Sequence, residues 1–297
     1  MNAFRTPDVR FEGLPGYDFA PHYVEQDRLR MHYVDEGDGA PVLLLHGEPT
    51  WAYLYRKVIP ELTGVARTIA PDYFGFGRSD KPVDRDWYTY DAHCESISRF
   101  VDVLDLRDVT VVTHDWGGPI GFRLAVERPE RVARLVVLNT GIYSGRPPGE
   151  TWLRFRDLVR RTATEFRPGQ LLRITCLTEL PDDVVAAYDA PFPEPGPESK
   201  AGVLMFPELV PTDDDHPSAQ KMLEVREALR GWTKPALVFF SDSDPIFSPR
   251  AAERLADLIP GAELQEPVAG AGHFLQEDAG AEVGQRIADW LQTSVSV

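Results

Sequence analysis

The chain has 297 residues, of which 43% are hydrophobic, and a formal net charge of -16. This length and apolar content suit one large globular core, with room for a small insertion. The acidic balance argues against nucleic-acid binding, which requires a basic surface. No apolar run approaches the roughly 20 residues of a membrane-spanning helix.

Residues that bind metals or form disulfides are sparse. Cys94 and Cys176 have neither metal-ligand spacing nor the pattern of a disulfide framework, and the seven histidines are scattered singly. We therefore expect no metal site. The first 23 residues are polar, are interrupted by proline and glycine, and lack the apolar segment of a signal peptide. The expectation is a cytoplasmic protein.

Strand and helix patterns alternate through the first half of the chain. After an irregular arm over residues 1–20, a hairpin is predicted from His22 to Val34, with its turn near Asp27. The next predicted strands are Pro41–Leu45, Ala66–Ala70, Val109–Val112 and Ala133–Leu138, and the predicted helices are Tyr53–Leu62, Asp91–Leu104 and Gly118–Glu127. This alternation predicts an α/β fold, a mostly parallel sheet with helices on both faces.

The alternation stops between residues 145 and 217. Helices are predicted at Thr151–Arg161 and Pro181–Tyr188, and the segments 191–197 and 213–217 are loop-like. We interpret residues 145–217 as a helical cap inserted into a sheet domain, which then comprises residues 1–144 and 218–297. After the cap, the predicted elements are the strands Pro235–Phe240 and Glu263–Val268 and the helices Arg250–Leu258 and Gly280–Leu291.

The segment from Thr113 to Gly118, Thr-His-Asp-Trp-Gly-Gly, is the most informative motif. A buried strand leads through a sharp turn into a helix, as at the nucleophile elbow of α/β-hydrolases. Asp115 occupies the nucleophile position, although Thr113 replaces the first small residue of that motif. A carboxylate there can displace a leaving group from a saturated carbon and form an ester, which water then hydrolyses. The alternative is that Asp115 is only a helix N-cap.

Asp244 and His273 complete a candidate catalytic triad. With Asp115 they follow the order nucleophile, acid, base of this fold class. Asp244 comes after a predicted strand; Asp242 competes with it for the role of acid, and an Asx turn is the structural alternative. His273 lies in a glycine-rich loop after the last predicted strand. It would act as general base on the water that attacks the ester.

Two backbone N–H groups are expected to form an oxyanion hole. One belongs to Trp116, the residue after the nucleophile, and the other to Glu48 in the loop His46-Gly-Glu-Pro49. The indole N–H of Trp116 can only donate a hydrogen bond. In an apolar pocket it would also hold a departing halide, whereas the plain alternative is that the ring fills space.

These motifs together resemble the haloalkane dehalogenases of the α/β-hydrolase superfamily. The matching blocks are residues 46–51, 70–82, 114–118, 188–193 and 272–277. The chain is most similar to the subfamily with a glutamate in the oxyanion loop and a second halide donor in the cap. The resemblance implies that Asp115 is the nucleophile, His273 the base, Asp244 the acid and Trp116 a halide donor. It also implies a haloalkane substrate, water as co-substrate, a halide product and no cofactor.

The first cap helix departs from this family pattern. Relatives carry a second tryptophan there, and the corresponding residue here is Phe155, which has no N–H to offer a halide. Trp152 lies three residues earlier on the same helical face. It either replaces the missing donor or packs beneath the cap.

Two other functions stay open. An epoxide hydrolase would use the same three catalytic residues, together with cap tyrosines that donate to the epoxide oxygen; Tyr188 is one candidate, and no second one is evident. A catalytically idle binding protein would keep the pocket without efficient chemistry. Only the Phe155 departure favours that interpretation, and the retained nucleophile, acid and base oppose it.

Overall fold

The structure of the chain, a computed structural model, describes residues 2–193 and 196–294. The strands are β1 (Ala3–Phe4), β2 (His22–Gln26), β3 (Leu29–Glu36), β4 (Pro41–Leu45), β5 (Arg67–Pro71), β6 (Lys81–Pro82), β7 (Val109–His114), β8 (Val132–Leu138), β9 (Ala236–Val238) and β10 (Ala262–Leu264). The α-helices are α1 (Ile59–Leu62), α2 (Tyr90–Val103), α3 (Gly117–Glu127), α4 (Glu150–Thr162), α5 (Pro168–Thr175), α6 (Asp182–Asp189), α7 (Ala201–Met205), α8 (Ala219–Ala228), α9 (Pro249–Leu258) and α10 (Leu275–Ser294).

The central sheet has the strand order β10-β9-β8-β7-β4-β5-β3-β2. Neighbouring strands from β10 to β5 are parallel, and β3 and β2 add an antiparallel edge. Every residue of β7 is buried, as are four of the five in β4, so both faces of the sheet centre are covered. The predicted mostly parallel sheet with covering helices is confirmed.

Local sequence explains why the predicted strands form. The two central strands are continuous apolar or β-branched runs, which favour extended backbone buried on both faces. The hairpin of β2 and β3 turns at Asp27 and Arg28, whose φ angles are 49° and 71°. Two successive residues with positive φ match the twist of a two-residue hairpin. The predicted hairpin is therefore confirmed.

Four predicted elements were wrong in their extent. The strand predicted over Pro235–Phe240 is the shorter β9, Ala236–Val238. The helix predicted over Tyr53–Leu62 is a 3₁₀ helix, Ala52–Lys57, followed by the short α1. Pro60 lies in the first turn of α1, where its missing N–H is tolerated, but it could not have continued a helix from Lys57. The last strand ends at Leu264 rather than at Val268. The final helix begins earlier, at Leu275, and is broken at Ala279, where φ is -142°.

The N-terminal arm is more ordered than the sequence predicts. β1 pairs antiparallel with β6, and a 3₁₀ helix spans Asp8–Phe11. Arg5 of this arm makes two hydrogen bonds to Asp80, at 2.6 and 2.8 Å. These contacts fasten residues 3–11 to the loop before β6, which explains the order.

The cap region contains both predicted helices, α4 and α6. It also contains α5, of eight residues, and α7, of five residues, which the sequence did not predict. The predicted loop over 191–197 includes residues 194 and 195, which lie outside the described residues. The boundaries at residues 145 and 217 stay a prediction. Among the helices of the described ranges, none is long and apolar enough to cross a membrane.

A buried ion pair joins the cap to the sheet domain. The guanidinium of Arg56 pairs with the carboxylate of Glu277, and the hydroxyl of Tyr188 on α6 donates to the same carboxylate. All three residues are at most 6% exposed. Because breaking a buried pair leaves an uncompensated charge, this contact favours one fixed position of α6.

Candidate active site

The carboxyl ends of β4, β7, β8 and β9 lie side by side, and the candidate site is built on the loops that leave them. Asp115 follows β7 with a φ of 49°, a left-handed conformation that is strained for a residue other than glycine. Gly117 opens α3 so close to β4 that an added Cβ would lie 2.2 Å from the Leu45 carbonyl oxygen. This packing holds the turn sharp and lifts the Asp115 side chain above the sheet.

Asp115 is not the N-cap that the alternative interpretation supposed. Trp116 holds the N-cap position of α3, and no side chain caps the helix there. Instead, Asp115 Oδ1 accepts the backbone N–H of Glu48 at 2.7 Å, and the N–H of Trp116 also donates to this carboxylate. The two donors predicted for the oxyanion hole therefore converge on one carboxylate.

Gly47 makes this convergence possible, and its role was not predicted from the sequence. A Cβ on Gly47 would lie 2.3 Å from Asp115 Oδ1, so any larger residue would collide with the carboxylate. The signal was present, since a glycine immediately before a predicted oxyanion donor indicates a close approach of backbone to the reacting group.

Glu48 places a second, buried carboxyl group beside the partly buried carboxylate of Asp115. Burial raises the pKa of Asp115, while the charge of His273 and the two backbone N–H groups act in the opposite direction. Burial and then the charge of Asp115 raise the pKa of Glu48 well above its ordinary value. Neither Glu48 carboxyl oxygen has a hydrogen-bond partner among the residues described. Burial and the charge of Asp115 thus both favour the protonated form of the Glu48 carboxyl.

His273 lies between the two aspartates. Its Nδ1 donates to Asp244 Oδ2 at 2.8 Å, and its Nε2 lies 3.7 Å from Asp115 Oδ2. Burial disfavours the charged imidazole, but the charge and hydrogen bond of Asp244 outweigh it and raise the pKa of His273 above the ordinary 6.5. Burial raises the pKa of Asp244 as well, but the charge and hydrogen bond of His273 outweigh that effect and lower it. Asp244 thus stays ionised and holds the His273 ring.

The competitor Asp242 lies away from this site. Its carboxylate is exposed and accepts the N–H of Gly270 and the hydroxyl of Ser243. The Asx turn proposed as the alternative for Asp244 does form, because Asp244 Oδ1 accepts the N–H of Ile246 at 2.7 Å. The turn and the imidazole use different oxygens, so the turn orients the carboxylate rather than competing with His273.

A buried network that the sequence reading missed holds the His273 loop. Asn139, directly after β8, donates through Nδ2 to Ser241 Oγ and to the carbonyls of Gly272 and His273, at 2.8, 3.0 and 3.1 Å. His114 Nε2 donates to the same His273 carbonyl at 2.8 Å. Polar residues at the carboxyl ends of predicted strands, Asn139 and Ser241 here, were the available signal.

A cavity of about 210 Å³ opens above the nucleophile. Asp115, Trp116 and Trp152 line it, whereas Phe155 does not. Phe155 packs edge-on against Phe166, with ring centroids 6.4 Å apart, at the edge of the cap core. Of the two cap residues considered as halide donors, the structure brings only Trp152 to the cavity.

The cap tyrosine that would serve an epoxide hydrolase lies elsewhere. Tyr188 is fully buried, does not line the cavity, and gives its hydroxyl to Glu277. Tyr143 does line the cavity, but its hydroxyl donates to Asp214 at 2.9 Å. Neither hydroxyl is free to protonate an epoxide oxygen above Asp115.

The chain is similar to known proteins over nearly its whole length. Residues 40–280 match the α/β hydrolase fold family. The chain is 43% identical over 304 residues to a haloalkane dehalogenase from Psychrobacter cryohalolentis, with 98% of each chain covered. It is 45% identical over 307 residues to haloalkane dehalogenase 1 from Mycobacterium bovis, covering 99% of this chain and all of the other.

Solved structures of the same kind of enzyme superpose on this fold. The tetrameric haloalkane dehalogenase DpaA from Paraglaciecola agarilytica has a TM-score of 0.89 at 35% identity and covers 96% of this chain and 97% of its own. The haloalkane dehalogenase DbeA from Bradyrhizobium elkani has a TM-score of 0.85 at 27% identity, with 94% and 99% covered. The predicted α/β-hydrolase fold and the resemblance read from the sequence are thereby confirmed.

Proposed function

Because the chain belongs to the haloalkane dehalogenases, hydrolases that act on carbon–halide bonds, we propose that it does so through a covalent alkyl ester on Asp115. The supporting observation is the division of labour between the two oxygens of this carboxylate. Oδ1 accepts the Glu48 N–H at 2.7 Å, while Oδ2 faces His273 Nε2 at 3.7 Å. One oxygen is held in the oxyanion hole, and the other is free to attack.

The first step is a displacement at the halogen-bearing carbon. Asp115 Oδ2 forms the new carbon–oxygen bond, and the halide leaves with the electron pair of the carbon–halogen bond. Trp116 and Trp152 line the same cavity, and neither indole N–H has an acceptor in the described part of the protein. Both are proposed to donate to the departing halide, so that Trp152 takes the place of the donor that Phe155 cannot supply.

The second step hydrolyses the ester. His273 Nε2 takes a proton from a water molecule as the water oxygen attacks the Asp115 carbonyl carbon. Negative charge develops on Oδ1, where the N–H groups of Glu48 and Trp116 stabilise it. The bond between the Asp115 carbonyl carbon and the alkyl oxygen then breaks, and the proton passes from His273 to the alcohol. The second proton of the water leaves the new carboxyl group through His273 to solvent, which regenerates the Asp115 carboxylate. Asp244 holds the imidazole in the tautomer that this transfer requires.

Bromide release from 1,2-dibromoethane and 1-bromobutane tests this proposal. Native protein is expected to release bromide, and Asp115→Asn is expected to release none, because the amide is too weak a nucleophile. Asp108→Asn is the matched control, since Asp108 is an exposed aspartate that also has positive φ (54°) and lies just before β7. Native protein that forms the diol of styrene oxide without releasing any bromide would instead support the epoxide hydrolase.

Three more specific features of the protein are also proposals. These are the subfamily with a cap-borne second donor, the role of Trp152, and a haloalkane with water and halide as the reaction partners. The expected cytoplasmic location stays a prediction.

A further inference from the structure

The cavity above Asp115 changes character between its floor and its mouth. Its walls are largely apolar, and they include Pro119, Ile142, Val210, Met222, Ile246 and Phe247. Ser144 and Arg146 also line it, and both are exposed to solvent. A ligand that fills the cavity would therefore meet the nucleophile at one end, a hydrocarbon surface in the middle and a cation at the other end.

Arg146 lines the cavity with an unpaired charge. Among the other cap arginines, Arg154 pairs with Glu150 and Arg160 with Glu208, whereas Arg156 and Arg161 likewise have no carboxylate within 4.0 Å among the described residues. Within the ranges that the structure describes, no carboxylate lies within 4.0 Å of the Arg146 guanidinium. The specific feature of Arg146 is therefore the place of its unpaired charge, in the lining of the cavity above Asp115.

The backbone around Arg146 is restricted. Gly145 has a φ of 76°, and Pro147 and Pro148 follow directly. A residue before proline is confined to extended conformations, and each proline fixes its own φ. The segment therefore keeps the Arg146 side chain at the cavity mouth, where only its side-chain torsions remain free.

We propose that Arg146 binds the anionic end of a substrate, so that the substrates of this enzyme include haloalkanes with a terminal carboxylate, the ω-haloalkanoates. The inference rests on the proposed function, since Asp115 must attack the halogenated carbon at the other end. Methylene groups of such a chain contact the apolar walls and leave water. The planar guanidinium binds a carboxylate through two parallel N–H donors.

Two features of the protein act against an anionic substrate and set the expected size of the effect. The net charge of -16 repels anions in general, and Asp214, which accepts the Tyr143 hydroxyl, lies near the same mouth. The contribution of Arg146 is therefore local, and it acts in an exposed setting. An exposed ion pair changes a binding constant by about two- to fivefold.

The test compares three substrates of equal chain length: 6-bromohexanoate, 1-bromohexane and 6-bromohexan-1-ol. In Arg146→Gln, the KM for 6-bromohexanoate is expected to rise about two- to fivefold at low salt, with kcat unchanged because the contact is remote from the reacting atoms. The KM for the two neutral substrates should stay the same. Arg146→Lys retains the charge and should retain most of the native KM. The difference should shrink at high ionic strength.

A charge reversal provides the second arm. Arg146→Glu should raise the KM for 6-bromohexanoate further and lower the KM for (6-bromohexyl)trimethylammonium, a cationic substrate of similar length. The inference is overturned if native protein acts on 1-bromohexane but not on 6-bromohexanoate, or if Arg146→Gln changes the KM for all three substrates alike. Absence of bromide release from 1-bromohexane itself would instead contradict the proposed function.

Discussion

The floor and the roof of the cavity are built in different ways. On the floor, Asp115, His273 and Asp244 each lie on a loop that leaves the sheet, and a hydrogen bond with another loop holds each one. On the roof, Trp152 is only partly buried and projects from the single helix α4. A catalytic side chain on the floor can therefore come from only one position in the sequence. On the roof, by contrast, two residues three positions apart on the helix can present a side chain to the same space.

This difference predicts how strongly each region resists substitution. Groups on the floor act as one unit, so that loss of any member removes most of the catalysis. Groups on the roof add to the binding of the halide or of the chain, and their losses should be smaller.

Asp244→Asn should lower the rate of steady-state halide release by roughly 10³–10⁴-fold, as for an analogous change in a serine protease triad. Asparagine lacks the charged carboxylate that accepts the hydrogen bond from His273 Nδ1. The imidazole therefore loses the group that orients it and stabilises its cationic form. Asp242→Asn, two residues earlier and exposed, is the matched control and should leave the rate unchanged. A variant at 244 that kept a tenth of native activity would refute the assignment of the acid.

Trp116→Phe should lower kcat/KM for 1-bromobutane by about tenfold to a hundredfold, because the proposed hydrogen bond to the charged halide would be lost from a buried site. Inhibition by added bromide should weaken in parallel, since the same indole N–H is proposed to hold the product. Trp51→Phe is a useful comparison, because Trp51 is fully buried and does not line the cavity. Equal loss of activity in both variants would indicate packing rather than halide binding.

The pH dependence follows from the raised pKa of His273. The imidazole must be neutral to accept a proton, so halide release should fall about tenfold for each pH unit below that pKa. Because Asp244 holds the pKa of His273 above 6.5, the midpoint should lie above 6.5 and move down in Asp244→Asn. A profile that is flat from pH 5 to 8 would show that His273 does not act as the base.

Trp152→Phe should cost least, about three- to tenfold in kcat/KM, because the indole N–H lies in a partly exposed position where solvent competes for the halide. Phe155→Leu is the matched control on the same helix and should change activity little. A larger loss in Phe155→Leu than in Trp152→Phe would reverse the assignment of the cap residues.

How far the sequence allowed prediction also differs between the two regions. On the floor, the apolar strands and the chain order of Asp115, Asp244 and His273 were sufficient to predict that these three residues lie together, because strand ends in a parallel sheet meet at one edge. The supporting groups were harder to predict. The contacts of Asn139 join residues more than 100 positions apart, and Gly47 is required only because a carboxylate approaches its backbone.

On the roof, sequence patterns left the choice between Trp152 and Phe155 open. Their separation of three residues places both on one side of α4, and only the docking of the cap decides which side chain faces the cavity. Short helices such as α7, at five residues, offer too little periodicity to be recognised. The Tyr188–Glu277–Arg56 contact that fixes α6 could not be predicted from the sequence either, because its three residues come from distant segments.

Trapping the covalent ester on Asp115 tests the proposed mechanism directly. His273→Phe removes the base but leaves the nucleophile and the oxyanion hole, so incubation with 1-bromobutane should release one bromide per protein and then stop. Mass spectrometry should find one butyl group on the peptide that contains Asp115. Intact, folded His273→Phe protein with neither a bromide burst nor an adduct would contradict the account.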